Sequence, residues 1–215
     1  MTPVISIVGK SKSGKTTLLE KLIPELKSRG YRVATVKHIH NDMKLDEPGK
    51  DSWRHIQAGS DVTVLSSPDR VALIKPVAEV VSLDEIALLL GEDYDIILTE
   101  GFKQGDAPKI EVHRREIGTP LSDIKKLVAI ATDESLDTKT RQFSLDDVKG
   151  LADLLEEGFI KPQRERVSLY VNNEPITLSA FPRDVITNVL LAIANSLKGV
   201  GKIKSIKFFV KKGSE

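Results

Sequence analysis

The first hydrophobic run of the chain, Val4-Ile5-Ser6-Ile7-Val8, is short, largely β-branched and closed by Gly9, the pattern of a buried strand. From Thr16 to Arg29 the apolar positions become Leu18, Leu19, Leu22, Ile23 and Leu26, spaced as one face of a helix, and Gly30 is a natural stop. Pro24 inside that pattern predicts a kink. A second strand from Tyr31 to Lys37 completes a strand–loop–helix–strand opening, the unit that builds a parallel sheet through right-handed crossovers. Further runs predict strands over 62–65, 71–77, 96–99, 110–113 and 127–132, and helices over 83–90 and 145–157. Residues 38–61 are charged and weakly periodic, and read as a long loop with one helical turn near 53–58.

Beyond residue 165 the pattern restarts. Residues 167–171 and 175–178 flank Asn172-Asn173 as a hairpin, Val185, Ile186, Val189, Leu190, Ile193, Ala194 and Leu197 mark an amphipathic helix, and 203–210 alternate as a final strand. The expected fold is α/β: a mostly parallel sheet flanked by helices over 1–160, followed by a small ββαβ module over 165–215. Charge supports the division. Residues 1–160 carry 22 Lys plus Arg against 27 Asp plus Glu, whereas 161–215 carry 10 against 4.

At 215 residues with 40% apolar and 29% charged side chains, the composition is that of a globular chain. No apolar run approaches the roughly 20 residues of a membrane span, and the amino terminus lacks a signal-peptide layout, so the cytoplasm is the expected compartment and no membrane partner is expected. With no cysteine, disulfides, thiolate metal sites and cysteine nucleophiles are excluded. Chemistry must come from oxygen, nitrogen, backbone dipoles or a bound ion.

The strongest such signal is Gly9-Lys10-Ser11-Lys12-Ser13-Gly14-Lys15-Thr16, a full match to G-x-x-x-x-G-K-[ST] between a predicted strand and a predicted helix. The glycines let backbone N–H groups turn around an anion, and the helix adds about half a positive charge at its free amino end. Lys15 is then the residue for the β and γ phosphates and Thr16 the hydroxyl for Mg²⁺. Such a site needs an acidic partner at the end of a neighbouring strand. Asp95 and Glu100 stand at opposite ends of the 96–99 run, roughly 16 Å apart at about 3.3 Å per residue, so one ion cannot use both. Ligands of doubly wound sheets lie beyond the carboxyl ends of strands, which selects Glu100.

The same rule points to His38, after the second strand, and to Asp133, after the strand ending Ala131-Thr132. Asp133 can accept from the N1 and N2 groups of guanine, a pairing adenine cannot make, or be a plain loop carboxylate; the Asn-Lys-x-Asp signature of many GTPases is absent. His38, His40 and Asp42 offer a metal-compatible spacing, or belong to a polar loop that closes on a ligand. Asp51 is a candidate second magnesium contact. Arg114 and Arg115, after the 110–113 strand, are candidates to brace phosphates from a loop. The tail lysines Lys198, Lys202, Lys204, Lys207, Lys211 and Lys212 read as a solvated face or an acidic-protein contact rather than a nucleic-acid site, because aromatic stacking partners are scarce.

The phosphate loop with Thr17-Leu18, Val36-Lys37-His38, Pro48-Gly49-Lys50-Asp51-Ser52, Ala58-Gly59, Leu98-Thr99-Glu100-Gly101-Phe102-Lys103 and Asp147-Val148-Lys149-Gly150-Leu151-Ala152-Asp153 together resemble the molybdopterin-guanine dinucleotide biosynthesis protein B family over about residues 3–157. The resemblance implies a P-loop NTPase-type fold and a GTP-binding, weakly hydrolysing, commonly dimeric protein that works with the guanylyltransferase joining GMP to molybdopterin. Gly9 to Thr17 would be its nucleotide site, Glu100 its Walker B-like acid and GTP with Mg²⁺ its ligands; molybdopterin itself is a further candidate ligand. The Lys10-Ser11-Lys12 filling is more basic than the family pattern. Lys10 falls where partitioning-type ATPases carry a dimer-crossing lysine, without the glycine pair that should follow. Two other functions fit the residues: a small-molecule kinase using loop 38–61 for an acceptor, and a docking protein gated by nucleotide without physiological turnover.

Overall fold

Strand β1 (Val4–Val8) sits inside the main sheet because its side chains are buried on both faces, and the chain leaves it through the glycine loop into helix α1 (Lys15–Ser28). In the computed structural model, which describes residues 2–39, 46–163, 167–172, 174–203 and 205–210, the chain divides into two compact units, Thr2–Arg164 and Glu165–Glu215.

The first unit continues through β2 (Val33–Lys37), α2 (Asp51–Gln57), an antiparallel hairpin of β3 (Thr63–Ser66) and β4 (Val71–Ile74), α3 (Leu83–Leu90), β5 (Ile96–Glu100), β6 (Lys109–His113), β7 (Leu127–Thr132), β8 (Gln142–Ser144) and α4 (Val148–Leu155). Six strands form one parallel sheet in the order β2-β5-β1-β6-β7-β8. Strand β1 has strands of the chain's two directions of travel on either side, so the loops after β1, β5, β6 and β7 converge at its carboxyl edge, where such sheets bind ligands.

One face of the sheet carries the main core. Ile5, Ile7, Ile96, Leu98, Ile110, Val112, Ala129 and Ala131 pack against Leu18, Leu22 and Leu26 of α1 and Leu151 and Leu155 of α4. Each large aliphatic side chain buried there contributes about 1.5–3 kcal/mol of transfer free energy. Helix α1 is continuous through Pro24. Pro24 is exposed while Leu22 and Leu26 are buried, so water serves the carbonyl that loses its N–H partner and packing holds the helix on both sides. A smaller cluster of Ala34, Ala87 and Ile97 joins α3 to the other face. Helix α3 begins at a capping box in which Ser82 and Glu85 each bond the other's backbone N–H.

That second face is polar along β6. Lys109, Glu111 and His113 alternate on it and are all buried. The Lys109 ammonium donates to the carbonyls of Gly105, Ala107 and Lys125, the Glu111 Oε1 accepts from Leu121 N at 2.7 Å, and His113 Nε2 lies 2.7 Å from Glu134 Oε1. Burial pushes the Lys109 ammonium below its usual pKa, with Asp106 opposing and Lys126 and Lys125 adding to the fall. Buried charge on this strand thus ties down the loops over the sheet.

In the second unit, β9 (Leu169–Val171) and β10 (Glu174–Ile176) form the expected hairpin, with Asn172 in the left-handed region at φ 53°, and α5 (Ala180–Ser196) follows. The final strand expected over 203–210 does not form: residues 203 and 205–210 have no regular element, and β9 pairs only with β10 among the described residues. Three consecutive apolar residues, Phe208, Phe209 and Val210, break the alternation that a half-buried strand requires, and all three are exposed. The module is therefore ββα among the described residues. Lys204, Lys211 and Lys212 lie outside them, as do His40 and Asp42.

Arg29 closes the first unit's helical layer. Its guanidinium donates to Glu25 at 2.9 Å, Asp153 at 2.6 Å and Glu156 at 2.8 Å, fastening the end of α1 to the end of α4. Arg29, then Lys161 and Tyr31, hold the Glu156 carboxyl down to about 2 from its ordinary 4.5. A carboxyl lowered in the folded state stabilises the fold above its unfolded pKa, and that stability is lost as pH falls from about 4.5 towards 2. Arg29→Ala should flatten the stability–pH curve across that window, read as the urea midpoint at successive pH values.

Candidate functional site

The glycine loop leaves β1 under a steric constraint. Gly9 has φ +153°, and a Cβ there would lie 2.5 Å from the Val112 carbonyl oxygen of β6 and 2.6 Å from Ser13 Oγ. Gly14 precedes α1 in the left-handed region at φ +97°, and Lys12 is also left-handed at φ 64°. Helix α1 has no side-chain cap and no acidic residue in its first turn, so its leading N–H groups carry the helix's partial positive charge without an internal anion. Ser13 is 1% exposed and its Oγ has no hydrogen-bond partner among the described residues, while its N–H donates to the Lys10 carbonyl at 3.3 Å. An orphan buried hydroxyl inside a turn of amides is a ready donor to an anion.

Lys15 rests on the loop itself, its Nζ 2.8 Å from the Lys10 carbonyl and 3.4 Å from that of Gly9. Burial lowers its pKa, Glu100 opposes that, and Lys103 and Lys37 add to the lowering. A phosphate would supply the charge that the two carbonyls replace poorly.

Strand register brings the acid to this loop. Ile7 of β1 and Lys37 of β2 both face Glu100, the last residue of β5. The Thr16 hydroxyl donates to Glu100 Oε1 at 3.0 Å, and Lys37 Nζ stands 3.7 Å from Glu100 Oε2. Gly101 then turns the chain at φ +106°, where a Cβ would be 3.0 Å from the His38 Cβ, and the His38 and Phe102 rings meet at 4.7 Å between centroids. His38 thus reaches the carboxyl edge as expected. Asp95 is at the other end of β5, where it accepts from the Arg32 N–H at 2.7 Å.

On the opposite side of the loop, a cleft of about 180 Å³ is lined by Thr17, Leu18, Lys21, Arg114, Asp133 and Leu145, with Gly14, Ser144 and Asp146 completing it. Asp133 Oδ1 accepts from Arg115 N at 2.8 Å. The Arg114 guanidinium donates from Nε to the Ser13 carbonyl at 3.2 Å and places NH1 3.8 Å from Asp133 Oδ2. Lys21 and Asp146 pair at 2.7 Å along the same cleft. Lys10 turns away from the turn of amides to donate to Thr119 at 3.3 Å, and Ser11 and Lys12 are exposed.

The structure therefore gathers Gly9, Ser13, Gly14, Lys15, Thr16 and Glu100 on one side and Thr17 and Asp133 on the other. Asp51 stands on α2, largely exposed, 3.6 Å from Arg54, with no hydrogen bond or ion pair to Thr16 or Glu100 among the described residues. Among those residues no group of three or more His, Asp or Glu forms a ready-made metal cluster. The sequence pattern missed the cleft wall of Ser144, Leu145 and Asp146. It follows β8, only three residues long, whose sole mark in the sequence is a single buried aromatic, Phe143.

The family model described as molybdopterin guanine dinucleotide synthesis protein B, MobB, matches residues 4–133, a span running from β1 through the glycine loop and Glu100 to Asp133. The chain belongs to the MobB family. A molybdopterin-guanine dinucleotide biosynthesis adapter protein of Haemophilus influenzae is 43% identical over 156 residues, covering 72% of this chain and 88% of that protein. Its Escherichia coli counterpart is 37% identical over 163 residues, covering 73% and 93%. A crystal structure of molybdopterin-guanine biosynthesis protein B superposes with a TM-score of 0.56 at 31% identity, covering 72% of this chain and 98% of that one. A MobB homologue from Bacillus stearothermophilus gives 0.52 at 26% identity, covering 73% and 97%. The mostly parallel, helix-flanked sheet is the MobB fold.

The crowding at Gly9 makes a direct test of the loop. Gly9→Ala should destabilise the folded protein by about 1–3 kcal/mol in denaturant unfolding, whereas Gly158→Ala, with open space around its Cβ position and no left-handed φ, should change little.

Proposed function

We propose that this chain is a GTP-binding adapter of molybdopterin-guanine dinucleotide synthesis, with slow Mg²⁺-dependent GTP hydrolysis, acting in the cytoplasm as a homodimer beside the guanylyltransferase that joins GMP to molybdopterin. The observation that carries the reading is the Thr16–Glu100 hydrogen bond of 3.0 Å at the foot of an uncapped helix. A hydroxyl and a carboxylate in that position are the hard oxygen donors that magnesium takes, so the residues fit the ion. Bound magnesium would neutralise charge on the β- and γ-phosphate oxygens.

The chain's own residues do the rest. The N–H groups from Ser13 to Thr17 and the buried Ser13 hydroxyl donate to phosphate oxygens. Lys15 gives up the carbonyls of Lys10 and Gly9 and brings its ammonium to the β and γ phosphates. Glu100 orients the Thr16 hydroxyl and holds its charge against Lys37. Asp133 reads guanine by accepting from N1 and N2 in the cleft beside Thr17. Arg114 donates to the Ser13 carbonyl and faces Asp133, away from the Thr16–Glu100 pair, so it does not supplement the charge at the γ position, and slow turnover is expected on that account.

Lys15→Ala should weaken Mg²⁺·GTP binding about a hundredfold or more in calorimetry, because it removes the one ammonium at the turn of amides. Glu100→Gln should lower Mg²⁺-dependent phosphate release about tenfold or more and GTP affinity by much less. Equal losses in both would assign Glu100 a structural role, and unimpaired binding by Lys15→Ala would refute the phosphate site.

A further inference from the structure

The Arg114 side chain reaches both the glycine loop, at Ser13, and Asp133, away from the Thr16–Glu100 pair. Its Nε–H is taken by the Ser13 carbonyl at 3.2 Å. The guanidinium lies against Gly14, where a Cβ would meet Nε at 3.4 Å and NH2 at 3.5 Å in ordinary contact. Its NH1 faces Asp133 Oδ2 at 3.8 Å, and the next residue's backbone, Arg115 N, fixes Asp133 Oδ1 at 2.8 Å. The cleft these groups share is lined by Thr17, Leu18 and Leu145, not by Thr16 or Glu100.

We propose that Arg114 is a positioning residue that couples base recognition to the phosphate loop, holding Asp133 in the orientation that selects guanine over adenine. The inference rests on the reading of Asp133 as the guanine acceptor. To meet N1–H and N2–H together, a carboxylate must present both oxygens in the plane of the base. A free aspartate turns about its terminal torsion, which is broad. Here one oxygen accepts from a backbone amide at 2.8 Å and the other faces, at 3.8 Å, a guanidinium held on the loop, so the carboxylate plane is restricted before any base arrives. Each oxygen keeps a lone pair for the ligand, and the side chain remains 37% exposed to receive it. Because the same guanidinium grips Ser13, a shift of the loop around phosphate carries Asp133 with it. Arginine suits this task because its planar fork serves two acceptors in fixed directions, which a lysine ammonium on a flexible stem cannot do.

The test compares the full-length protein with Arg114→Ala, Arg114→Lys, Asp133→Ala and the Arg114→Ala/Asp133→Ala double variant, using Mg²⁺ with GTP, ATP and inorganic tripolyphosphate as probes in calorimetry. The expected result is that Asp133→Ala collapses the GTP-to-ATP affinity ratio by about 10- to 100-fold, the scale of hydrogen bonds to a charged group. Arg114→Ala and Arg114→Lys should each remove most of that ratio while tripolyphosphate affinity stays within about threefold, and Arg114→Ala should add nothing to the ratio once Asp133 is gone. Should Arg114→Ala fail to fold by circular dichroism, Arg114→Lys carries the same comparison. Equal losses for GTP and tripolyphosphate with the ratio preserved would make Arg114 a phosphate contact or a structural brace and overturn the proposal. An unchanged ratio in both Arg114 variants, with Asp133→Ala still collapsing it, would overturn the proposal and leave the guanine reading standing. An unchanged ratio in Asp133→Ala would overturn both.

Discussion

Everything at the carboxyl edge of the sheet depends on how closely the chain passes β6 as it leaves β1. With a Cβ position 2.5 Å from the Val112 carbonyl and 2.6 Å from Ser13 Oγ, Gly9 has no room for a side chain, and only that approach lets residues 10–13 fold back over the amino end of α1. The turn leaves Ser13 buried without a partner for its hydroxyl among the described residues and leaves Lys15 on main-chain carbonyls. These are arrangements that cost free energy in isolation and that an anion resolves, because it accepts from orphan donors and pairs with the ammonium at once.

The sheet supplies what the loop lacks. Parallel registry of β5 between β1 and β2 sets Glu100 opposite both Ile7 and Lys37, which is why the carboxylate meets the Thr16 hydroxyl without any long-range loop closing on it. On the other flank, β6 carries Arg114 to the outer side of the loop and β7 carries Asp133 to the same cleft. Of the buried side chains of β6, Glu111 and His113 hold the following segments through Leu121 N and the Glu134 carboxylate, while Lys109, at the other end of the strand, holds the carbonyls of Gly105, Ala107 and Lys125. A strand face in the middle of a sheet is an unusual place to bury polar groups; Lys109 and His113 meet partners there, while Glu111 is held through Oε1, its Oε2 having no hydrogen-bond partner among the described residues.

The parts of this arrangement that sequence makes legible are those governed by local rules. The helix over 83–90 and the strand of 127–132 are announced by their apolar runs, and the choice of Glu100 over Asp95 follows from strand direction alone. What stays hidden is set by partners distant in the chain. Lys109 belongs to β6 although a charged residue reads as its boundary, because its ammonium finds three carbonyls only in the folded molecule. Strand β8 is too short to show a period and exists because β7 offers it an edge. The strand expected over 203–210 is the converse case: an apolar run that pairs with no strand among the described residues. Arg29 and Arg114 carry no motif, since the acceptors that place them across the fold, Asp153 for the first and the Ser13 carbonyl for the second, lie more than a hundred residues away.

The role proposed for the main-chain amides after Gly9, with the Lys15 ammonium, is an anion cradle for a nucleotide's phosphates. A crystal structure of the full-length protein with Mg²⁺ and a non-hydrolysable GTP analogue tests it most directly. The account predicts phosphates seated against the N–H groups of residues 13–17, with Lys15 Nζ moved off the Gly9 and Lys10 carbonyls onto phosphate oxygen. Nucleotide bound elsewhere, or Lys15 still on those carbonyls with the analogue present, would contradict it.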